Sequence, residues 1–297
     1  MKVDVPDIGF VSVICWDASF REHFSAIECI FEQDLPADRY ELIFVEFYQE
    51  ASPQVRKLLE GRPNARISVL GNPHPGRENE HLIGACVNEG IRLARGDLIV
   101  VPDADVLFER DFLSEVVRQH EHCEELALYF YRVNEPDTER PVERTIEAIR
   151  AVGSIGYSEN YGACLTVRKK WLEANNGYEE DPLWRGYCSV DQDVARRLKT
   201  LGLCIKWHPS KFLYHGYHIG TGDPDPASRE RVYVQRRVYE ARARQMVTLP
   251  DKGMDPARRP TQNMSATTGH KRHWIGRAVR RALPYRLRGR LSSMLME

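Results

Sequence analysis

No apolar run in the 297 residues approaches the roughly 18–20 needed to cross a bilayer. The longest strong ones are short, such as Leu98–Val101 and Leu126–Tyr131. The opening Met-Lys-Val-Asp-Val-Pro-Asp has neither the apolar core nor the small-residue cleavage site of a signal peptide. A cytoplasmic location is therefore expected. Neither sign of charge dominates: 42 Lys and Arg face 43 Asp and Glu, for a net charge of −1. The body has no basic stripe of the kind that binds nucleic acid. The seven cysteines, at 15, 29, 86, 123, 164, 188 and 204, are odd in number and contain no C-x-x-C pair. That disfavours a disulfide framework or a zinc site and leaves buried, reduced thiols. A composition of 42% hydrophobic and 29% charged residues excludes a mostly disordered or fibrous chain.

What is present is an alternation of strand and helix patterns. Phe10–Cys15 and Glu41–Phe47 read as strands, as do Arg66–Leu70 and Asp97–Val101. Ser19 and Glu22 have capping-box spacing before Phe20, Phe24, Ile27 and Phe31. A short helix is expected after Ser52-Pro53, with Gly61 beyond its end, and another runs from the Gly71–Arg77 loop to about Ala94. Such an order predicts an α/β fold, a mostly parallel sheet with helices on both faces. Ligands of these folds bind outside the carboxyl ends of the strands. Farther on, Leu126–Val133, Tyr161–Val167 and Leu203–Trp207 read as strands. Ser189 and Gln192 have the spacing of a second capping box, on a helix that stops at Gly202. The expected organisation is a catalytic body over 1–220, a helical extension over 221–250, a linker over 251–270 and a basic tail over 271–297.

Several polar residues follow strands. Asp103 and Asp105 come directly after Leu98–Val101, where paired carboxylates need a cation, and hard divalent ions take oxygen ligands. A solvated turn is the ordinary alternative for so short a motif. Asp191 falls in the first turn of a helix, where an acid also complements the helix dipole. Trp184 and Tyr187 precede it and offer aromatic faces to a sugar ring. His215 and His218, separated by Gly216-Tyr217, are candidate metal or phosphate contacts. His208, before Pro209, reads as structural.

Together these residues resemble a known pattern. Asn88-x-Gly90-Ile91-x-x-Ala94-x-Gly96-Asp97 leads into Val-Val-Pro-Asp103-Ala-Asp105. Trp171-Leu-x-x-x-x-Gly177-Tyr178-x-Glu180, Val190-Asp191-Gln192-Asp193 and the late histidines follow. Over roughly residues 10–220 the chain is similar to GT-A glycosyltransferases of the family 2 type, with features of galactosyltransferase-like C-terminal modules. The resemblance implies a metal-dependent transfer of sugar from a nucleotide-diphosphate donor, foremost UDP-linked, to an acceptor hydroxyl, inverting and non-processive. It implies Mn²⁺ or Mg²⁺ as cofactor. Glu46 would meet the nucleotide base, and Asn88 is counted with the donor-binding residues. Asp103 would hold ribose, and Asp105 with His218, or His215, the metal. Asp191 would be the catalytic base, with Trp184 and Tyr187 on the acceptor side. Two positions depart from the family pattern: Val190 replaces an acid and removes an acceptor-hydroxyl contact, and Val87 replaces an Arg, so diphosphate or base contacts must come from elsewhere, with Arg77 and His81 as candidates. The same departures keep open a non-catalytic sugar-nucleotide-binding module, and a retaining GT-A transferase is a further alternative.

From Lys271 to Glu297 there are eight Lys and Arg and one acid, interleaved with Trp274, Ile275, Val279 and Leu283. Such a basic amphipathic segment binds anionic membrane or packs on the acidic body or another subunit. The membrane reading makes the acceptor a lipid-linked or surface glycan and the protein peripheral on the inner face of a membrane.

Overall fold

The computed structural model describes residues 7–18, 21–72, 82–137, 140–155, 160–186, 189–218, 232–238 and 240–241. The chain divides into two compact units, Met1–Arg258 and Arg259–Glu297, and the second lies wholly outside the described residues. So do the expected linker and basic tail, together with Ser19, Arg77, His81, Tyr187 and Cys188.

Among the described residues, nine strands form one sheet. They are β1 (Val11–Asp17), β2 (Tyr40–Glu46), β3 (Ala65–Val69), β4 (Leu98–Pro102), β5 (Val106–Leu107), β6 (Leu126–Asn134), β7 (Ser154–Ile155), β8 (Cys164–Arg168) and β9 (Cys204–His215). Their order is β3-β2-β1-β4-β8-β6-β9-β5, with β7 pairing β6. β1–β4, β6 and β9 share one direction, and the short β5, β7 and β8 run against it. The expected mostly parallel α/β sheet is present.

Burial on both faces explains the continuous apolar runs. Val13, Leu42, Phe44, Val100 and Leu128 point to one side, against α1 (Ser25–Phe31), α2 (Pro53–Leu59) and α4 (Phe112–His122). Ile14, Ile43, Val45, Ile99 and Val167 point to the other, against α3 (Ile83–Leu93), α6 (Lys169–Ala174) and α7 (Val190–Thr200). A seventh helix, α5 (Ile146–Val152), lies beyond β6 in sequence. Neither α4 nor α5 is anticipated by the sequence analysis.

Glycines of the shared pattern serve packing. A Cβ on Gly90 would sit 2.3 Å from Ile14 Cγ2, so glycine lets α3 seat on β1. Gly177 has φ +64°, and a Cβ there would fall 2.3 Å from Asn88 Oδ1. Ser52 caps α2 through Gln54 N at 3.2 Å, as its sequence predicts.

Three local expectations change. The first helix begins at Ser25 without a side-chain cap, leaving residues 21–24 outside the helix. Ser189 stands at the N-cap of α7, but its side chain makes no cap hydrogen bond. β9 does not stop at Trp207: it pairs β6 again from Phe212 to His215, past an irregularity that contains Pro209. Proline interrupts the ladder locally, and the pairing resumes once partners are available beyond it. The six described cysteines are all free, and Cys15, Cys29, Cys86 and Cys164 are buried. Burial pushes the Cys15 thiol up to about 12 and the Cys29 thiol up to about 11.

Candidate active site

The site collects at the carboxyl ends of β1, β2 and β4. β4 ends at Pro102, and its continuation carries Asp103 and Asp105 into β5. β5 pairs β9 antiparallel, with Val106 opposite His215. That register brings a residue 110 positions away beside the D-x-D segment.

Asp105 Oδ2 lies 3.3 Å from His218 Nε2 and 3.8 Å from His215 Nε2, and the two imidazole nitrogens are 3.1 Å apart. One ligand atom from each of the three residues fits within 4.8 Å. Two ring nitrogens converging on one carboxylate oxygen form a donor set that fits a divalent cation. A carboxylate with two imidazoles suits Mn²⁺ better than Mg²⁺, which prefers oxygen throughout. Asp105 is buried, which opposes its charge. Hydrogen bonds from His215 and His218 and the charge of Arg21 nonetheless hold its carboxyl well below the usual range. Asp103 is pushed the other way, by burial and by the charge of Asp105. Arg132 Nη1 donates to Asp103 Oδ2 at 3.1 Å.

Arg21, absent from the sequence-level candidates, stands at the centre. Its Nε is 3.4 Å from Asp105 Oδ2, its Nη2 3.9 Å from Asp103 and its Nη1 3.7 Å from Asp17. The signal was available: Arg21 follows the end of β1 by four residues, where polar groups matter in such sheets. It stayed hidden because a helix was expected to begin at Ser19.

Asp17 and Glu46 are register partners at the ends of β1 and β2. Glu46 Oε1 accepts from Tyr48 N at 3.1 Å. Burial, aided by the charge of Asp17, pushes its carboxyl up to about 7. Asp191 lies in the first turn of α7. Burial, then the charge of Asp103, pushes its carboxyl up to about 7. A Cβ on Gly162 would lie 3.0 Å from Asp191 Oδ2, so glycine leaves the carboxylate room. Next to Gly162, Tyr161 packs edge-on to Trp207 at 4.9 Å and to Tyr129 at 5.1 Å. Tyr161 and Trp207 are both partly exposed.

Two residues hold other places than the sequence implied. Trp184 is only 1% exposed and belongs to the core, so it offers no face to an acceptor. Asn88 holds the Gly177–Glu180 loop: its amide nitrogen donates to Tyr178 O at 2.8 Å and Glu180 Oε1 at 2.6 Å, and its oxygen accepts from Tyr178 N at 2.7 Å. Both its hydrogens are engaged within the protein, so it supports the fold instead of donating to a donor substrate. Asp193 is a buried partner of Arg197 at 2.7 Å. His208 is buried and bonded to Glu115 at 2.7 Å, consistent with its structural reading.

The family model of glycosyl transferase family 21 matches residues 21–179, more than half of the chain. No curated protein matches the sequence. Solved structures share the architecture. A mannosyltransferase, PcManGT from Pyrobaculum calidifontis in complex with GDP-Man and Mn²⁺, superposes with TM-score 0.54 at 17% identity, over 82% of this chain and 66% of that one. S. aureus TarS 1-349 in complex with UDP gives 0.52 at 15%, over 80% and 69%. GalNAc-T7 with UDP, GalNAc and Mn²⁺ gives 0.56 at 10%, over 82% and 52%. The chain thus spans just under two thirds of the mannosyltransferase and about half of GalNAc-T7. At these identities the likeness is one of fold, and it is the GT-A fold. With the family match covering β2 through β4, the D-x-D segment and β8, the chain belongs to glycosyl transferase family 21.

Proposed function

We propose that the protein is a metal-dependent glycosyltransferase that moves a sugar from a nucleotide-diphosphate donor to an acceptor hydroxyl. The observation that carries the proposal is the convergence of Asp105, His215 and His218 beside Asp103, with Asp191 in the first turn of α7. The GT-A neighbours, solved with UDP, UDP-GlcNAc or GDP-Man and in two cases Mn²⁺, support the donor class.

A divalent cation on Asp105, His215 and His218 would neutralise the diphosphate as it departs. Glu46 meets the nucleotide base, and Asp103 the ribose. Arg132 keeps Asp103 oriented. Asp191 takes the proton from the acceptor hydroxyl as that oxygen attacks the anomeric carbon. The bond from that carbon to the diphosphate oxygen breaks, and its electron pair leaves with the diphosphate. A carboxyl poised near pH 7 is suited to this general-base role. Attack from the face opposite the leaving group inverts the anomeric centre. The acceptor side includes Tyr161, whose neighbour Gly162 lies against the Asp191 carboxylate, with Tyr187 as a further candidate outside the described residues. An aromatic ring next to a carboxylate matches the C–H face and hydroxyls of a sugar ring. The basic segment from Lys271 draws the protein to an anionic membrane, where a lipid-linked glycan is the acceptor.

The test is a screen of UDP- and GDP-sugars for Mn²⁺-dependent hydrolysis and transfer, with Asp105→Ala as control. The proposal expects turnover of at least one donor that Asp105→Ala abolishes. Turnover unchanged by that substitution, or insensitive to chelation of metal, would overturn it.

A further inference from the structure

We propose that Arg21 is the resident counter-cation of the D-x-D segment and couples metal binding to diphosphate binding. It competes with a divalent cation for Asp105 until a diphosphate draws the guanidinium away. The inference rests on the metal-site reading above.

The same atom is contested. Asp105 Oδ2 faces both imidazoles, at 3.3 and 3.8 Å, and Arg21 Nε, at 3.4 Å. A guanidinium and a divalent cation repel when they share one carboxylate oxygen, strongly so in a poorly solvated site. Arg21 is also loosely committed. Its contacts to Asp17, Asp103 and Asp105 run from 3.4 to 3.9 Å, longer than a charge-assisted hydrogen bond of about 2.8 Å. Its firm attachments are Nη1 to the Trp16 carbonyl at 3.0 Å and the stack of its guanidinium over the Trp16 ring at 4.4 Å. A planar fork with five donors, fixed by its stem and divided among three acids, is suited to take up a diphosphate. Asp103 would not be stranded by that shift, because Arg132 holds its other oxygen at 3.1 Å.

Coupling of this kind is reciprocal: whatever a diphosphate adds to metal affinity, metal adds to diphosphate affinity. The experiment titrates the full chain with Mn²⁺, followed by electron paramagnetic resonance of the free ion, with and without UDP. Wild type is compared with Arg21→Gln, Arg21→Met and Arg21→Lys. Met keeps the aliphatic stem over Trp16 without the charge, and Lys keeps the charge. Without UDP, Gln and Met should bind Mn²⁺ about tenfold tighter than wild type, and Lys about as wild type does. UDP should tighten Mn²⁺ binding more in wild type than in Gln or Met, by about that same factor. Folded Gln and Met variants that bind Mn²⁺ no tighter than wild type would overturn the role of Arg21 and leave the metal site standing. Wild type that binds no Mn²⁺, or binds it equally after Asp105→Ala, would overturn the metal site and this inference with it.

Discussion

Gln235 Oε1 accepts a hydrogen bond from Ser189 N at 3.0 Å, and its Nε2 donates to Leu183 O at 2.6 Å. One fully buried side chain from the C-terminal helical segment thus ties both ends of the 183–189 loop and pairs the backbone N–H of Ser189, the N-cap residue of α7. Asp191 stands two residues farther on. Gln235→Ala leaves the buried Ser189 N–H unpaired, at about 1–3 kcal/mol, and takes the donor from the part-buried Leu183 carbonyl. The variant should melt at lower temperature and exchange its Ser189 amide faster. Transfer should fall while Mn²⁺ affinity stays unchanged, measured on the same preparation.

Asp191→Asn keeps the shape of the side chain but cannot accept a proton. Transfer should drop by about 10²–10⁴ with donor affinity nearly intact. The wild-type rate should also fall as pH drops below about 7, where the carboxyl protonates, and that limb should vanish in the variant. A variant with normal transfer to the acceptor would remove Asp191 from the reaction.

His218 lies 0.5 Å nearer than His215 to the shared Asp105 oxygen, at 3.3 against 3.8 Å. His218→Ala should therefore weaken Mn²⁺ binding more than His215→Ala. Calorimetric titration of both variants gives the order directly, and a reversed order would make His215 the stronger ligand.

Glu46 makes stability fall with rising pH. Its carboxyl is held at about 7 in the fold against an ordinary 4.5, so the native state binds the extra proton between those values. Stability is highest below about pH 4.5 and declines until about pH 7, by roughly 3 kcal/mol from this group alone. Glu46→Gln retains an acceptor for Tyr48 N and removes the penalty. Thermal melts should show it more stable than wild type at pH 8, with the gap closing toward pH 4.5.

The basic segment from Lys271 has a test of its own. The full chain should sediment with anionic liposomes at low salt and less at high salt, because exposed charges are screened. A chain ending at Thr268 should not sediment. Equal behaviour of the two would return the segment to a packing role.

The alternation of elements and the two-sided burial of the sheet are legible in the linear sequence. Both follow from local pattern: apolar runs such as Leu42–Val45 and Leu98–Val101 can satisfy their backbone and bury both faces only as inner strands. The sequence also marked Asp103, Asp105 and Asp191, as acids after a strand or at a helix start, and His215 and His218, as two imidazoles close together in sequence. Tertiary structure decided which of them meet. The pairing of Val106 with His215 depends on β9 continuing past Pro209, where the linear pattern reads as an end. Arg21 reaches three acids only because the first helix starts four residues after it, a choice made by packing of Phe24 and Ile27 into the core. Trp184 and Asn88 show the converse. Their types advertise stacking and hydrogen bonding, but a side chain's type does not say what its neighbours already use. That was fixed by the core around Trp184 and by the tight backbone at Gly177 against Asn88.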